Sequence, residues 1–135
     1  DDAERDRFVD TVAGTLSGKR VFAQWPVKPA GQDLAGYGGR PDGAAVDTEG
    51  CYWSAMFEGQ RLLRIAPGGE VLREVVLPVR CATMPCFGGR DLKTIYITTA
   101  REHRPAAELA AQPLAGCVLA LGVDVPGLPV NYALV

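Results

Sequence analysis

The carboxylate best placed to do chemistry is Asp42, within Gly38-Gly39-Arg40-Pro41-Asp42-Gly43. Pro41 fixes its own φ and biases Arg40 towards an extended backbone, which sets Asp42 at a defined strand entrance. Gly43 allows another backbone to pass closely there. Ala44, Ala45 and Val46 are small and apolar, suited to a strand buried on both faces. A carboxylate at the start of a crowded inner strand can close a turn, cap the strand or supply an oxygen ligand to a cation. On residue type alone the turn or cap is the commoner role.

Other reactive residue types form no constellation. The four cysteines, Cys51, Cys81, Cys86 and Cys117, show no C-x-x-C spacing, and the one histidine is His103. A zinc site therefore lacks its paired ligands. Three of the cysteines lie in apolar strand-like runs, where a thiol behaves as a small buried hydrophobe, so reduced structural thiols are expected. His103 has no G-x-S-x-G partner, and Arg101, Glu102, His103 and Arg104 read as a solvated charged loop. Asp47, Glu49 and Asp91 sit in polar turns before strands. Trp53 and Tyr96 read as packing aromatics.

These residues are carried by short strands. Phe8 to Val12, a turn over Gly14 to Lys19, and Arg20 to Trp25 form a hairpin pattern. Residues 26–41 are rich in Gly and Pro and read as a long surface connection. A regular meander follows, with strands at Ala44–Asp47, Cys51–Met56, Arg61–Ile65 and Glu70–Leu77. Its first turn, Asp47-Thr48-Glu49-Gly50, offers Gly50 for positive φ. The pattern then repeats through Ala82–Phe87, Thr94–Thr99 and Cys117–Leu121, with a fourth strand expected over Val130–Leu134. Between them, Arg104 to Gln112 is Ala-rich, predicts a short surface helix, and is stopped by Pro113. Trp53 and Tyr96 mark equivalent strands at a spacing of roughly 40 residues, the repeat of propeller blades. The fold class is all-β, a partial β-propeller of about two and a half four-stranded antiparallel blades, against the roughly four to eight that close a ring. The divisions are a leading hairpin over 7–25, a blade over about 42–78 and a blade over about 82–135. Thr83 and Met84 open the second inner strand where Asp42 opens the first, and so are placed facing the central channel.

Composition narrows the function. Fourteen basic and sixteen acidic residues leave a net charge of −2, with no basic patch for nucleic acid. No apolar run is long enough to span a bilayer and no signal-peptide pattern opens the chain, so no membrane partner and a cytoplasmic location are expected.

The run Gly39-Arg40-Pro41-Asp42-Gly43-Ala44-Ala45-Val46-Asp47, with Glu49-Gly50-Cys51-Tyr52-Trp53, resembles the gluconolactonase and regucalcin group of six-bladed propellers, the senescence-marker-protein type. The likeness continues through Arg61–Ile65, Pro67-Gly68-Gly69, Leu77-Pro78, Thr83–Leu92, Ile95–Arg101 and Gln112–Gly116. It implies the C-terminal part of a metal-dependent hydrolase that opens a sugar lactone to the aldonic acid. It implies one divalent ion (Ca²⁺, Mn²⁺, Mg²⁺ or Zn²⁺) held by a Glu, an Asn and an Asp. The Asp maps to Asp42, as metal ligand and as the catalytic group that orients or deprotonates water. The other ligands and the substrate-holding residues belong to earlier blades and match nothing here, so this chain alone is expected to be inactive. Earlier blades or self-association would have to cover its open faces, although a pair of copies would supply two Asp42 side chains and still no matching Glu or Asn. The alternative is a noncatalytic propeller or scaffold that binds calcium at most.

Overall fold

The structure is a computed structural model and describes residues 9–10, 15–16, 21–28, 30 and 36–130. Strands β1 (Val9–Asp10) and β2 (Thr15–Leu16) pair antiparallel. Strands β3 (Arg40–Val46), β4 (Tyr52–Phe57), β5 (Arg61–Ile65) and β6 (Val71–Val76) form a four-stranded antiparallel sheet in chain order. Strands β7 (Ala82–Gly88), β8 (Thr94–Thr99) and β9 (Val118–Gly122) form a three-stranded one. The helix α1 covers Ala106–Ala111 within the predicted insertion and buries none of its residues. Among the described residues no helix is long and apolar enough to cross a membrane. The fourth strand expected over Val130–Leu134 falls almost wholly outside the described residues.

Alternation along the strands explains how the sheets stack. Trp53 and Ala55 of β4 and Leu62 of β5 point to one face, where they meet Ala82 of β7 and Ile95 and Ile97 of β8. The Trp53 and Phe87 rings meet edge-on, with centroids 6.4 Å apart. Met56, Leu63 and Ile65 point to the opposite face and pack against Phe22, Trp25 and Tyr52. β4 is therefore buried on both sides. Burial on both faces is expected of β3, but β3 is an edge strand whose ladder partner is β4, with one further backbone bond from the Leu128 N–H to the Val46 carbonyl, and Val46 stays 36% exposed.

The strand expected over residues 20–25 is absent where it is described. Residues 21–28 are irregular, and the segment is held by side chains rather than by a ladder. Phe22 lies edge-on to Tyr52 at 5.8 Å. The turn after β3 forms as read: Gly50 adopts φ 76° and its N–H donates to the Asp47 carbonyl. Asp91 likewise accepts from the Lys93 N–H in the β7–β8 turn.

Candidate functional site

Pairing places Pro41 opposite Met56 and Ala44 opposite Ser54. Asp42 and Gly43 together thus face the single residue Ala55, a β-bulge, the device that commonly re-aims a side chain beside a functional site. β7 repeats it: Ala82 faces Thr99 and Met84 faces Thr98, so Thr83 is the extra residue. The two bulges abut. A methyl group at Gly43 would lie 2.7 Å from the Thr83 carbonyl oxygen and 2.5 Å from Met84 Sδ. The Met84 side chain can turn away, but the Thr83 backbone cannot. Gly43→Ala should therefore cost about 1 to 3 kcal/mol by overpacking, read as a lower melting temperature. An unchanged melting temperature would show that the sheets separate freely at this seam.

The structure thus sets the Asp42–Gly43 bulge against Thr83 and Met84. Asp42 is solvent-facing and makes no hydrogen bond or salt bridge with the described residues. Partial removal of water pushes its carboxyl above the usual carboxylate range, and the Arg40 charge opposes this. Thr83 and Thr98 hydroxyls lie 2.7 Å apart, and Thr98 Oγ1 accepts from the Met84 N–H. As a hard oxygen donor without another partner, Asp42 suits a divalent cation. Among the described residues, no three His, Cys, Asp or Glu side chains gather into a metal site. Asp42 fits as one ligand of a set, not as a set.

Beside this entrance lies a charge cluster that no local motif announces. Glu58 opens the β4–β5 turn at φ 63° and is only 4% exposed. Lys28 Nζ (2.9 Å), Arg40 Nη1 (2.6 Å) and Arg104 Nη1 (3.0 Å) all donate to its carboxylate. Burial pushes the Glu58 carboxyl up, but the Lys28 and Arg40 bonds outweigh it and hold the pKa low. Arg40 is also stacked on Phe57, its Cζ 4.6 Å from the ring centroid. Arg104 is further gripped by both oxygens of Glu108 at 2.9 Å, one turn along the insertion. Arg104 is therefore not part of a solvated loop. Arg101, Glu102 and His103 are exposed, whereas the Arg104 side chain is 12% exposed because two carboxylates neutralise it.

Asp47 also exceeds a turn residue. It is fully buried, with Oδ1 accepting from the Glu49 and Cys51 N–H groups and Oδ2 from Trp53 Nε1 and Arg64 Nε. The four thiols are free, but only Cys51 and Cys81 are buried. Cys86 and Cys117 are exposed, because the outer face of the β7–β8–β9 sheet has no cover among the described residues.

Residues 7–101 match the SMP-30/gluconolactonase/LRE-like region. A 6-deoxy-6-sulfogluconolactonase from Pseudomonas putida is 62% identical over 92 residues, 68% of this chain and 32% of that protein. The regucalcin of Danio rerio is 47% identical over 93 residues, covering 67% of this chain and 32% of its own length. The chain thus spans about a third of the length of these relatives. Among solved structures, a calcium-binding regucalcin from Agrobacterium tumefaciens superposes with a TM-score of 0.76 at 29% identity, over 93% of this chain and 41% of that one.

Proposed function

We infer that this chain, which belongs to the SMP-30/gluconolactonase/LRE-like family, forms part of a hydrolase that opens a sugar lactone to its aldonic acid. The observation that carries the reading is the Asp42 carboxylate, free of hydrogen-bond and ion-pair partners among the described residues and set in a bulge at the seam of two sheets. The match to a lactonase, 62% identical, supports the substrate class. In this reading the two sheets are blades of a six-bladed propeller. Exposed Tyr96 and Val118 on one sheet, and Val71, Leu72 and Val76 on the edge of the other, are the apolar surface that further blades would cover. The complete protein works in the cytoplasm.

Asp42 serves twice. It contributes one oxygen ligand to a divalent cation, which when bound supplies Lewis-acid polarisation of the lactone carbonyl and a more acidic water. Its carboxylate also takes the proton from the attacking water. The water oxygen bonds to the carbonyl carbon, the ring C–O bond breaks, and the proton passes to the departing ring oxygen as the hydroxy acid forms. The two bulges set the carboxylate beside the Thr83–Met84 wall, which orients the sugar ring.

A calcium-binding protein without turnover is the competing reading, since the superposed regucalcin is described as calcium-binding. Proton release from gluconolactone, followed in the intact protein with divalent cation present, separates the two. Opening well above the spontaneous rate is expected; a rate equal to the spontaneous one, with cation bound, would leave only the binding reading.

A further inference from the structure

We propose that Arg40, supported by Lys28, receives an anionic substituent of the lactone at the mouth beside Asp42. This deepens the lactonase reading and rests on it. The cluster around Glu58 carries more positive charge than its carboxylates neutralise: Lys28, Arg40, Arg80 and Arg104 face only Glu58 and Glu108. The excess is not evenly shared. Arg104 is satisfied by both Glu108 oxygens and by Glu58, and is nearly buried. Lys28 and Arg40 share what remains of one carboxylate, and their side chains are 40% and 47% exposed.

Arg40 is held for the task rather than left to swing. Nη1 is tied to Glu58 and the guanidinium carbon lies over the Phe57 ring, so two separate contacts hold the fork. A fixed planar fork recognises a sulfonate, phosphate or carboxylate in two bonds, which a free lysine does not. Arg40 stands two residues before Asp42 in the same strand. An anionic group near Asp42 would be repelled without such a counter-charge. The relative named for a sulfonated lactone has the matching substrate chemistry.

The test compares 6-deoxy-6-sulfogluconolactone with neutral gluconolactone in the intact protein, as the ratio of kcat/KM values. Arg40→Gln should lower that ratio by about tenfold, mostly through KM for the sulfonated lactone, because one charge-assisted fork is lost. Lys28→Gln should lower it less, and Arg40→Lys should restore part. Glu58 keeps Lys28 and Arg104 in Arg40→Gln, so the fold should hold. Wild-type preference for the sulfonated lactone should also weaken as salt is raised. An unchanged ratio, or equal losses for both lactones, would overturn the proposal. Calorimetric binding of the sulfonated aldonate separates this from the lactonase reading. Arg40-dependent binding without turnover would sink the lactonase reading and keep the anion site. Turnover with Arg40-independent binding would do the reverse.

Discussion

Asp42→Asn is expected to lower sugar-lactone turnover in the intact protein by about 10²- to 10⁴-fold, the usual worth of a positioned base, with the fold preserved. The substitution keeps the shape and exposed position of the side chain while removing its basicity and its charge. Asp42 holds no hydrogen bond or ion pair with the described residues, so nothing in the sheets depends on it. Initial rates and thermal melts on the same preparation check both halves. Wild-type turnover in Asp42→Asn would end its role as base and ligand. A collapsed melting temperature would mean that the carboxylate is structural.

The opposite profile is expected of the other aspartate in the same strand-and-turn unit. Asp47→Ala should destabilise the chain by about 3 to 5 kcal/mol, the range for breaking a buried charge pair. It leaves the Arg64 guanidinium, the Trp53 indole N–H and two backbone N–H groups without their acceptor. Asp47→Asn keeps an acceptor for the backbone but faces Arg64 with a neutral amide, and should fall between. The pH dependence has a fixed sign. Burial pushes the Asp47 carboxyl up, but the bonds from Arg64, Trp53, Cys51 and Glu49 outweigh this and hold the pKa below the ordinary value. A lowered folded pKa contributes stability that is fully present above the unfolded value near 3.9 and is lost as pH falls through the folded one. Unfolding free energies measured from neutral pH down through that window should therefore converge for wild type and Asp47→Asn. A constant gap across the window would contradict the assignment.

Part of this architecture was legible in the sequence because it depends on neighbours. Thr94–Thr99 is almost pure β-former, Gly50 closes a polar turn, and Pro113 stops an Ala-rich helix. The Pro41-Asp42-Gly43 run likewise declares its own local geometry, which is why Asp42 stands out without a structure. What could not be read depends on distant partners. Glu58 looks like a turn residue because its three cations stand 18, 30 and 46 residues away. Arg104 looks solvated because Glu58, one of its two carboxylate partners, stands 46 residues away, although the other, Glu108, is only four residues on. Residues 20–25 have strand composition, yet Phe22 and Trp25 are used as side-chain anchors on the Met56–Ile65 face. Cys86 lies in an apolar run, but alternation puts it on the outer face beside Tyr96, and composition does not reveal which face is covered.

The most direct test follows gluconolactone opening by chelator-treated intact protein while Ca²⁺, Mn²⁺ or Zn²⁺ is added back, wild type beside Asp42→Asn. The account predicts that wild type loses its activity to the chelator and regains it with a saturable cation requirement. Asp42→Asn should need far more cation and recover little. Full wild-type turnover in chelator, or the same cation saturation in both proteins, would contradict a site in which Asp42 is at once ligand and base.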